Sequence, residues 1–566
     1  MTGTAQPSTT PSILDSVYEH EATQPDRVFL TQPVGGGQVV DFTWSQALDQ
    51  ARRMATHLKE QGLQPGECVA MLAKNSAHFI LTELAIWMAG GTTVAIFPTE
   101  TADNVRYVLQ HCEARVLFVG KLDDWATQQA AVPGGVRCIA LPLAPATTFE
   151  SWEAIVARTA PMPGRPARNA SDLAMLLYTS GSTGQPKGVM QNFGAITLAT
   201  QGICDWGVQL DEGQLLQHRS LSYLPLAHCF ERAWIQCAAL MSGRVQLYFT
   251  ESLATFMDDL KRARPTVFVS VPRLWSKFQQ GVFARMPAAQ LDALLDNPAT
   301  AAAVGQQVLA SLGLDAVKRA GTGSAPMPPA LMTWYSRLGL ALYDGYAMTE
   351  DFAFSHTSSA QAHAPGRVGR PNPGVQTRIA EDGEILVKSP GCMAGYYKAP
   401  ELTAESFTDD GFFHTGDLGR YDEQGLLQLT GRKKELFKTA KGKYVAPAPI
   451  EGRLQAHPMV EMAMVSGSGQ PAAHAMVMLD ENLRPRLGDA AVRAQVESEL
   501  SALLAQVNAA VASHEHLQFI VVAAEPWTMA NGALTPTMKI KRSRIEASVA
   551  QAVAAWYDAP GPVVWA

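Results

Sequence analysis

At 566 residues, with 47% hydrophobic and 17% charged residues, the chain has ordinary globular composition and is too long for one core. Its formal net charge of −7 lacks the basic footprint of a nucleic-acid binder. Seven scattered cysteines, with no CxxC spacing, read as thiols of a reducing compartment and point to the cytoplasm.

Residues 1–12 are polar and rich in Thr, Ser and Pro, without the basic and apolar regions of a signal peptide. Leu48, Ala51, Ala55 and Leu58 keep helical spacing, and Gly62 with Pro65-Gly66 stops that helix. Cys68–Leu72 is a continuous apolar run, as in a strand buried on both faces. A helix over 76–89 and strands over 92–97 and 115–120 follow. The most apolar stretch, 79–97, is broken by Glu83 and Gly90-Gly91, so it reads as a helix entering a buried strand and not as a membrane span. Peripheral membrane contact stays open. Val245–Phe249 and Val267–Ser270 repeat the strand signal, and 283–313 is Ala- and Leu-rich, as in a helix. Past Gly366 the texture turns β-rich, with a short strand at 384–387. The expected class is α/β: a large N-terminal domain of parallel sheets covered by helices plus a β-rich subdomain, then a small α+β C-terminal domain. Boundaries are expected at 1–431 and 435–566, with 432–434 as the hinge.

The segment Tyr178-Thr179-Ser180-Gly181-Ser182-Thr183-Gly184-Gln185-Pro186-Lys187-Gly188 carries the strongest chemistry. Glycines let backbone N–H groups form a concave anion nest, the hydroxyls add donors or metal ligands, and Lys187 adds charge. It is not the Walker loop, because Lys187 is followed by Gly188 and not by Ser or Thr. A loop that handles a polyphosphate competes here with a plain flexible surface loop.

Further along, Tyr343-Asp344-Gly345-Tyr346-Ala347-Met348-Thr349-Glu350 combines an aromatic face for a base, a hydroxyl for a phosphate oxygen and a carboxylate for Mg²⁺. Asp417, in Thr415-Gly416-Asp417, could accept hydrogen bonds from a ribose diol, with Arg432 in support. Lys539 follows Leu534-Thr535-Pro536-Thr537-Met538, and Lys541 is its nearest competitor for a catalytic role.

In this order, these strings resemble the adenylate-forming (AMP-binding) superfamily from about residue 40 to 546. Ser222-Tyr223-Leu224-Pro225-Leu226-Ala227-His228 and Leu436-Phe437-Lys438-Thr439 look most like its long-chain fatty acyl-CoA synthetases. The resemblance implies an ATP-dependent ligase that activates a carboxylic acid, such as a medium- or long-chain fatty acid, through acyl-AMP to the CoA thioester. ATP and CoA would be co-substrates, with Mg²⁺. Thr179, Ser180, Gly181, Ser182, Thr183, Gly184 and Lys187 would contact the phosphates. Gly323, Ser324 and Ala325 would frame adenine with Asp344, Gly345, Tyr346, Ala347 and Met348. Ala347 stands where the family usually carries glycine. Thr349 would meet the α-phosphate, and Thr179 and Glu350 would hold the metal. Asp417, Arg432, Lys434 and Lys438 would complete nucleotide binding. Lys539 would be the mobile catalytic lysine, His228 would sit beside the reacting carboxylate, and Gly442 and Lys441 would meet CoA. Rival readings are an acyl-AMP ligase serving a carrier protein, an aryl-CoA synthetase and a non-catalytic acyl-nucleotide binder.

Overall fold

A computed structural model describes residues 11–180, 185–535, 537–559 and 561–566. An eight-stranded sheet organises the first part of the chain. Its order is Gly395–Tyr396, Pro186–Asn192, Leu173–Ser180, Thr92–Ile96, Cys68–Leu72, Val116–Val119, Arg137–Ala140 and Glu150–Ser151. From Leu173–Ser180 onward the pairings are parallel, while Pro186–Asn192 returns antiparallel as a hairpin arm. Cys68–Leu72 and Thr92–Ile96 are buried along their whole length, as expected for central parallel strands. The helix Ala77–Ala89 between them is buried at every position. Ser76 caps its start, and Gly90 at φ +94° ends it in the left-handed region that glycine tolerates.

A second sheet, His218–Ser222, Val245–Phe249, Val28–Gly35 and Gln38–Thr43, adjoins a third that begins with Val267–Ser270, Arg319–Thr322 and Leu342–Tyr346 in parallel. Thr266 joins the two: its N–H donates to the Arg219 carbonyl, and the Lys318 N–H donates to its own carbonyl. The helical reading of 283–313 is borne out by Ala288–Asp296 and Ala301–Ser311, with Pro272–Phe283 before them. Pro287 and Pro298 lie at the two breaks, and proline lacks the N–H that a helix interior needs.

The β-rich stretch is a four-stranded antiparallel sheet: Gln376–Ile379, Glu384–Lys388, Phe413–Tyr421 and Leu427–Arg432. Beyond it lie the hairpin Phe437–Lys438 and Tyr444–Val445 and a mixed sheet of Val460–Ser466, Ala473–Leu479, Leu517–Val522 and Val563–Trp565. These pack their own apolar core around Ile450, Val477 and Leu500. Across the cleft between the two parts, Arg273 pairs with Glu461, which also faces Arg484 at 3.1 Å, and Lys277 pairs with Glu481 at 3.1 Å. Among the described residues, no helix is long and apolar enough to cross a membrane.

One buried ion pair ties the helical layer together. Arg232 Nη1 donates to Glu83 Oε2 at 2.7 Å, both side chains are fully buried, and Gln236 also donates to that oxygen. Arg232 opens the π-helical turn Arg232–Cys237 and lies over the Phe79 ring. Arg232→Met would strand the Glu83 charge in a dry core. It should cost about 3–5 kcal/mol in urea unfolding of the N-terminal part, whereas the double substitution with Glu83→Leu should cost far less. Equal losses in the single and double variants would show that the pair is not coupled.

Candidate active site

The polyphosphate candidate sits on a hairpin. Leu173–Ser180 and Pro186–Asn192 run antiparallel, so Thr179 and Lys187 lie opposite one another, and the strand register brings both to the loop's base. Gly181, Ser182, Thr183 and Gly184 lie outside the described residues. Lys187 Nζ stands 5.4 Å from the Tyr396 ring centroid, and the Tyr396 hydroxyl donates to Glu350 Oε1 at 2.7 Å. Gly395–Tyr396 pairs with Pro186–Asn192, which carries that ring to the hairpin. Thr179, Lys187, Tyr396 and Glu350 therefore share one corner. Its oxygen donors suit a hard cation, since Glu350 keeps its second carboxylate oxygen without a partner among the described residues.

Thr349 and Glu350 follow the strand Leu342–Tyr346 in a short 3₁₀ turn. The Gln191 side-chain amide donates to the Thr349 carbonyl at 3.0 Å, and Thr349 Oγ1 lies 3.4 Å from Cys229 Sγ. Beneath them Asp351 is buried and accepts from the Met348 N–H, and burial pushes its carboxyl up to about 7. Phe352 and Ala353 both take left-handed backbone (φ +53° and +58°), an uncommon choice for residues with side chains. Ser324, in the Gly323-Ser324-Ala325 loop, does the same at φ +68°. Gly323 is buried; a Cβ there would lie 3.3 Å from the Gly345 carbonyl and 3.7 Å from the Phe230 ring. Gly345 pairs with Thr357, and Ala347 and Met348 pack at the edge of the main core. Asp344 is buried, and its carboxyl is pushed well up by that burial.

Asp417 and Arg432 are direct partners in the antiparallel register of Phe413–Tyr421 and Leu427–Arg432. Arg432 Nε donates to Asp417 Oδ1 at 2.6 Å, and the Tyr346 hydroxyl donates to Oδ2 at 2.9 Å. Each oxygen thus keeps an acceptor site for a further donor, such as a sugar hydroxyl. Asp417 in turn holds the Arg432 guanidinium above its usual value. The turn before Asp417 is fixed by Gly416, whose N–H donates to Glu384 Oε1 at 2.9 Å, and Lys433 Nζ reaches Glu384 Oε2 at 3.1 Å. Lys434 lies in the 3₁₀ turn Lys433–Glu435 that links the two parts of the chain.

Lys539 comes to this corner from the C-terminal part. Its loop is tied by Thr535: the Lys539 N–H donates to Thr535 Oγ1 at 3.0 Å, and the Thr535 N–H to the Lys539 carbonyl at 2.8 Å. Met538, immediately before it, has left-handed backbone at φ +61° and re-aims the chain at that point. The Lys539 side chain keeps solvent contact, although the surrounding protein desolvates it. That desolvation, then the neighbouring Arg432 charge, holds its ammonium below the usual lysine value, against the opposing pull of Asp417 and Glu350. Burial, and then Lys539, lowers His228 to about 3, so its ring is neutral near pH 7. Its Nδ1 accepts from the Phe230 N–H at 3.2 Å, which assigns the ring proton to Nε2 as a donor.

Lys438, Lys441 and Gly442 stand apart from this group. Lys438 Nζ lies over the Tyr444 ring at 5.6 Å, and Lys441 and Gly442 are exposed at the turn of that hairpin, Gly442 with φ +75°. No hydrogen bond or ion pair among the described residues joins them to the Asp417 and Glu350 groups. Motif reading missed Tyr396, Cys229, Gln191 and Asp351. For Tyr396 no local signal exists: it meets Glu350 across 46 positions, through strand pairing alone. Asp351 was legible in principle, as a second carboxylate beside Glu350.

The AMP-binding enzyme family model matches residues 17–397, and that of the AMP-binding enzyme C-terminal domain matches residues 435–560. The long-chain-fatty-acid–CoA ligase FadD15 of Mycobacterium bovis is 34% identical, with 96% of each chain covered. Long-chain-fatty-acid–CoA ligase 1 of Homo sapiens is 27% identical over 89% of this chain and 80% of its own. In fold, the adenylation domain of a carboxylate reductase from Mycobacterium chelonae superposes with TM-score 0.80 at 22% identity, covering 98% of this chain and 92% of that one.

Asp417→Ala removes the acceptor that Arg432 and Tyr346 hold in place. Hydrogen bonds to a charged group are worth about 1.5–3 kcal/mol, so ATP affinity measured by calorimetry should fall by about tenfold or more. An unchanged affinity in the folded variant would remove Asp417 from the nucleotide site.

Proposed function

This chain belongs to the AMP-binding enzyme family, and from that premise we propose that it is an ATP-dependent acyl-CoA synthetase, an acid–thiol ligase. It converts a medium- or long-chain fatty acid through acyl-AMP to the CoA thioester and releases pyrophosphate and AMP. The observation that carries the reading is the pair of held carboxylates, Asp417 fixed by Arg432 and Tyr346 and Glu350 fixed by Tyr396 beside the Thr179–Lys187 hairpin, with Lys539 within electrostatic reach of both. The relatives named as long-chain ligases support the choice of acid. Seven free cysteines support a cytoplasmic setting.

In the first half-reaction the carboxylate of the acid attacks the α-phosphorus of ATP, and pyrophosphate leaves. An anion approaches an anion, so charged and hydrogen-bonding groups must be aimed beforehand at the charge that develops. Asp417 takes the ribose hydroxyls, its two oxygens steered by Arg432 and Tyr346. Lys187 neutralises the outer phosphates. Thr349 donates to the α-phosphate. Thr179 and Glu350 would hold Mg²⁺, with Tyr396 orienting the Glu350 carboxylate. That ion, when bound, shields the phosphate charge. Lys539 bridges the carboxylate and the α-phosphate, and neutral His228 donates from Nε2 toward the carboxylate. In the second half-reaction the CoA thiol attacks the acyl carbon and AMP departs. Residues 435–566 turn about Lys434, carrying Lys539 out and bringing Gly442 and Lys441 in for CoA.

Lys539→Ala should slow acyl-AMP formation by about 10²–10³ and nearly spare thioester formation from supplied acyl-AMP. Lys541→Ala is the control. Because its ammonium is held below the usual lysine value, adenylation should decline as pH rises toward that range, and Lys539→Arg should remove the decline. Equal loss in both half-reactions would take Lys539 out of this role.

Lys434→Pro fixes φ at the pivot and removes an N–H donor. With the fold checked by melting, single-turnover pyrophosphate release should persist while thioester formation fails, so that acyl-AMP accumulates. A folded variant that makes acyl-CoA at the parent rate would place the pivot elsewhere.

A further inference from the structure

A narrow cavity lies between the helix Phe193–Leu210, the π-helical turn Arg232–Cys237 and the strands His218–Ser222, Val245–Phe249, Val267–Ser270 and Arg319–Thr322. Its sides are apolar and include Ile203, Trp234, Ala238, Val245, Val267 and Val269. The pairings that relate its strands within each sheet are parallel. Their C-terminal ends lead to the site: His228 follows the first strand, and Gly323 follows the last. Gly321 lines the cavity two positions before Gly323, and Trp234 contacts the Phe230 ring that packs against Gly323.

At the other end, where the strands begin, the wall changes character. His218 Nε2 meets Asp211 Oδ2 at 2.7 Å, and Arg319 Nε donates to Asp211 Oδ1 at 3.1 Å while Nη2 pairs with Oδ2. The side chains of Asp211 and His218 are only 1% and 3% exposed, and Arg319 13%. His218 Nδ1 is satisfied by Thr266 Oγ1 at 3.0 Å. The helix closes directly on the guanidinium: a Cβ at Gly207 would lie 2.2 Å from Arg319 Nη1. Arg244 lines the same end, just before Val245. A buried charged cluster is often no better for stability than well-packed apolar residues of similar volume. Here it closes one end of a cavity whose remaining walls are mostly apolar, with Ser220 and Ser242 as the polar exceptions.

We propose that the Asp211–His218–Arg319 cluster is the closed end of the acyl channel and sets the upper length of the acid. This rests on the acyl-CoA synthetase reading above. An alkyl end driven past the cluster would separate paired, buried charges without replacing their hydrogen bonds. From Arg319 to Gly323 is four residues of extended chain, about 13 Å. A carbon chain with bonds near 1.5 Å and tetrahedral angles advances about 1.25 Å per carbon, so this run spans about ten carbons. The favoured acids are therefore of medium length, and the longest ones are handicapped.

The test compares kcat/KM for hexanoate, octanoate, decanoate, dodecanoate and hexadecanoate, from pyrophosphate release with saturating ATP and CoA. The parent should peak at decanoate or dodecanoate and fall at hexadecanoate. Asp211→Asn with Arg319→Met removes both charges of the ion pair at similar volume. It should raise the hexadecanoate-to-dodecanoate ratio by about tenfold or more, the scale at which pockets distinguish methylenes, and leave octanoate unchanged. Ala238→Leu, which narrows the channel, should lower dodecanoate and spare hexanoate; it decides the matter if the double variant does not fold. A parent that still gains through hexadecanoate, or an unaltered profile in a folded variant, would overturn the proposal. A parent inert with every acid in the series would overturn the acyl-CoA synthetase reading itself.

Discussion

A carboxylate and a polyphosphate repel each other, and the arrangement of this cleft answers that repulsion. Lys187 and Arg432 come from the first part of the chain and Lys539 from the second. The carboxylates of Glu350 and Asp417 stand among them, each held by a tyrosine hydroxyl. Fixed partners matter here because a carboxylate free to rotate would pair with the nearest lysine. Tyr396 and Tyr346 prevent that, and both tyrosines are set by strands of the parallel-sheet core or its edge.

The proposed second half-reaction also requires that the two parts separate. Their ion pairs, Arg273–Glu461 and Lys277–Glu481, sit where side chains keep some solvent contact on at least one partner. An exposed pair such as Lys277–Glu481 contributes about 0–1 kcal/mol, whereas Glu461 is almost buried between Arg273 and Arg484. The Lys277–Glu481 pair can orient the C-terminal part without binding it permanently, in contrast to the fully buried Glu83–Arg232 pair inside the first part.

Much of this was legible in the linear sequence because the relevant chemistry is local. Thr179 and Lys187 belong to one loop, and Thr349 and Glu350 to one turn. Cys68–Leu72 and Thr92–Ile96 reveal their burial through uninterrupted apolar runs. What stayed hidden depends on tertiary pairing. Tyr396 reaches Glu350 only through the strand Gly395–Tyr396, and Glu83 and Arg232 meet across 149 positions. The left-handed backbone at Met538 has no residue-type signal, since methionine does not favour it. In the stretch 283–313, alanine-rich composition reports the helix propensity that the structure bears out, while Pro287 and Pro298 decide where each helix ends.

The central claim is that the cleft, with Lys539 in place, joins acid to nucleotide before CoA takes part. Isotope exchange between pyrophosphate and ATP measures that step alone. With dodecanoate, ATP and Mg²⁺ present and CoA absent, labelled pyrophosphate should appear in ATP, and omission of the acid should abolish the exchange. Exchange that begins only when CoA is added would contradict the account.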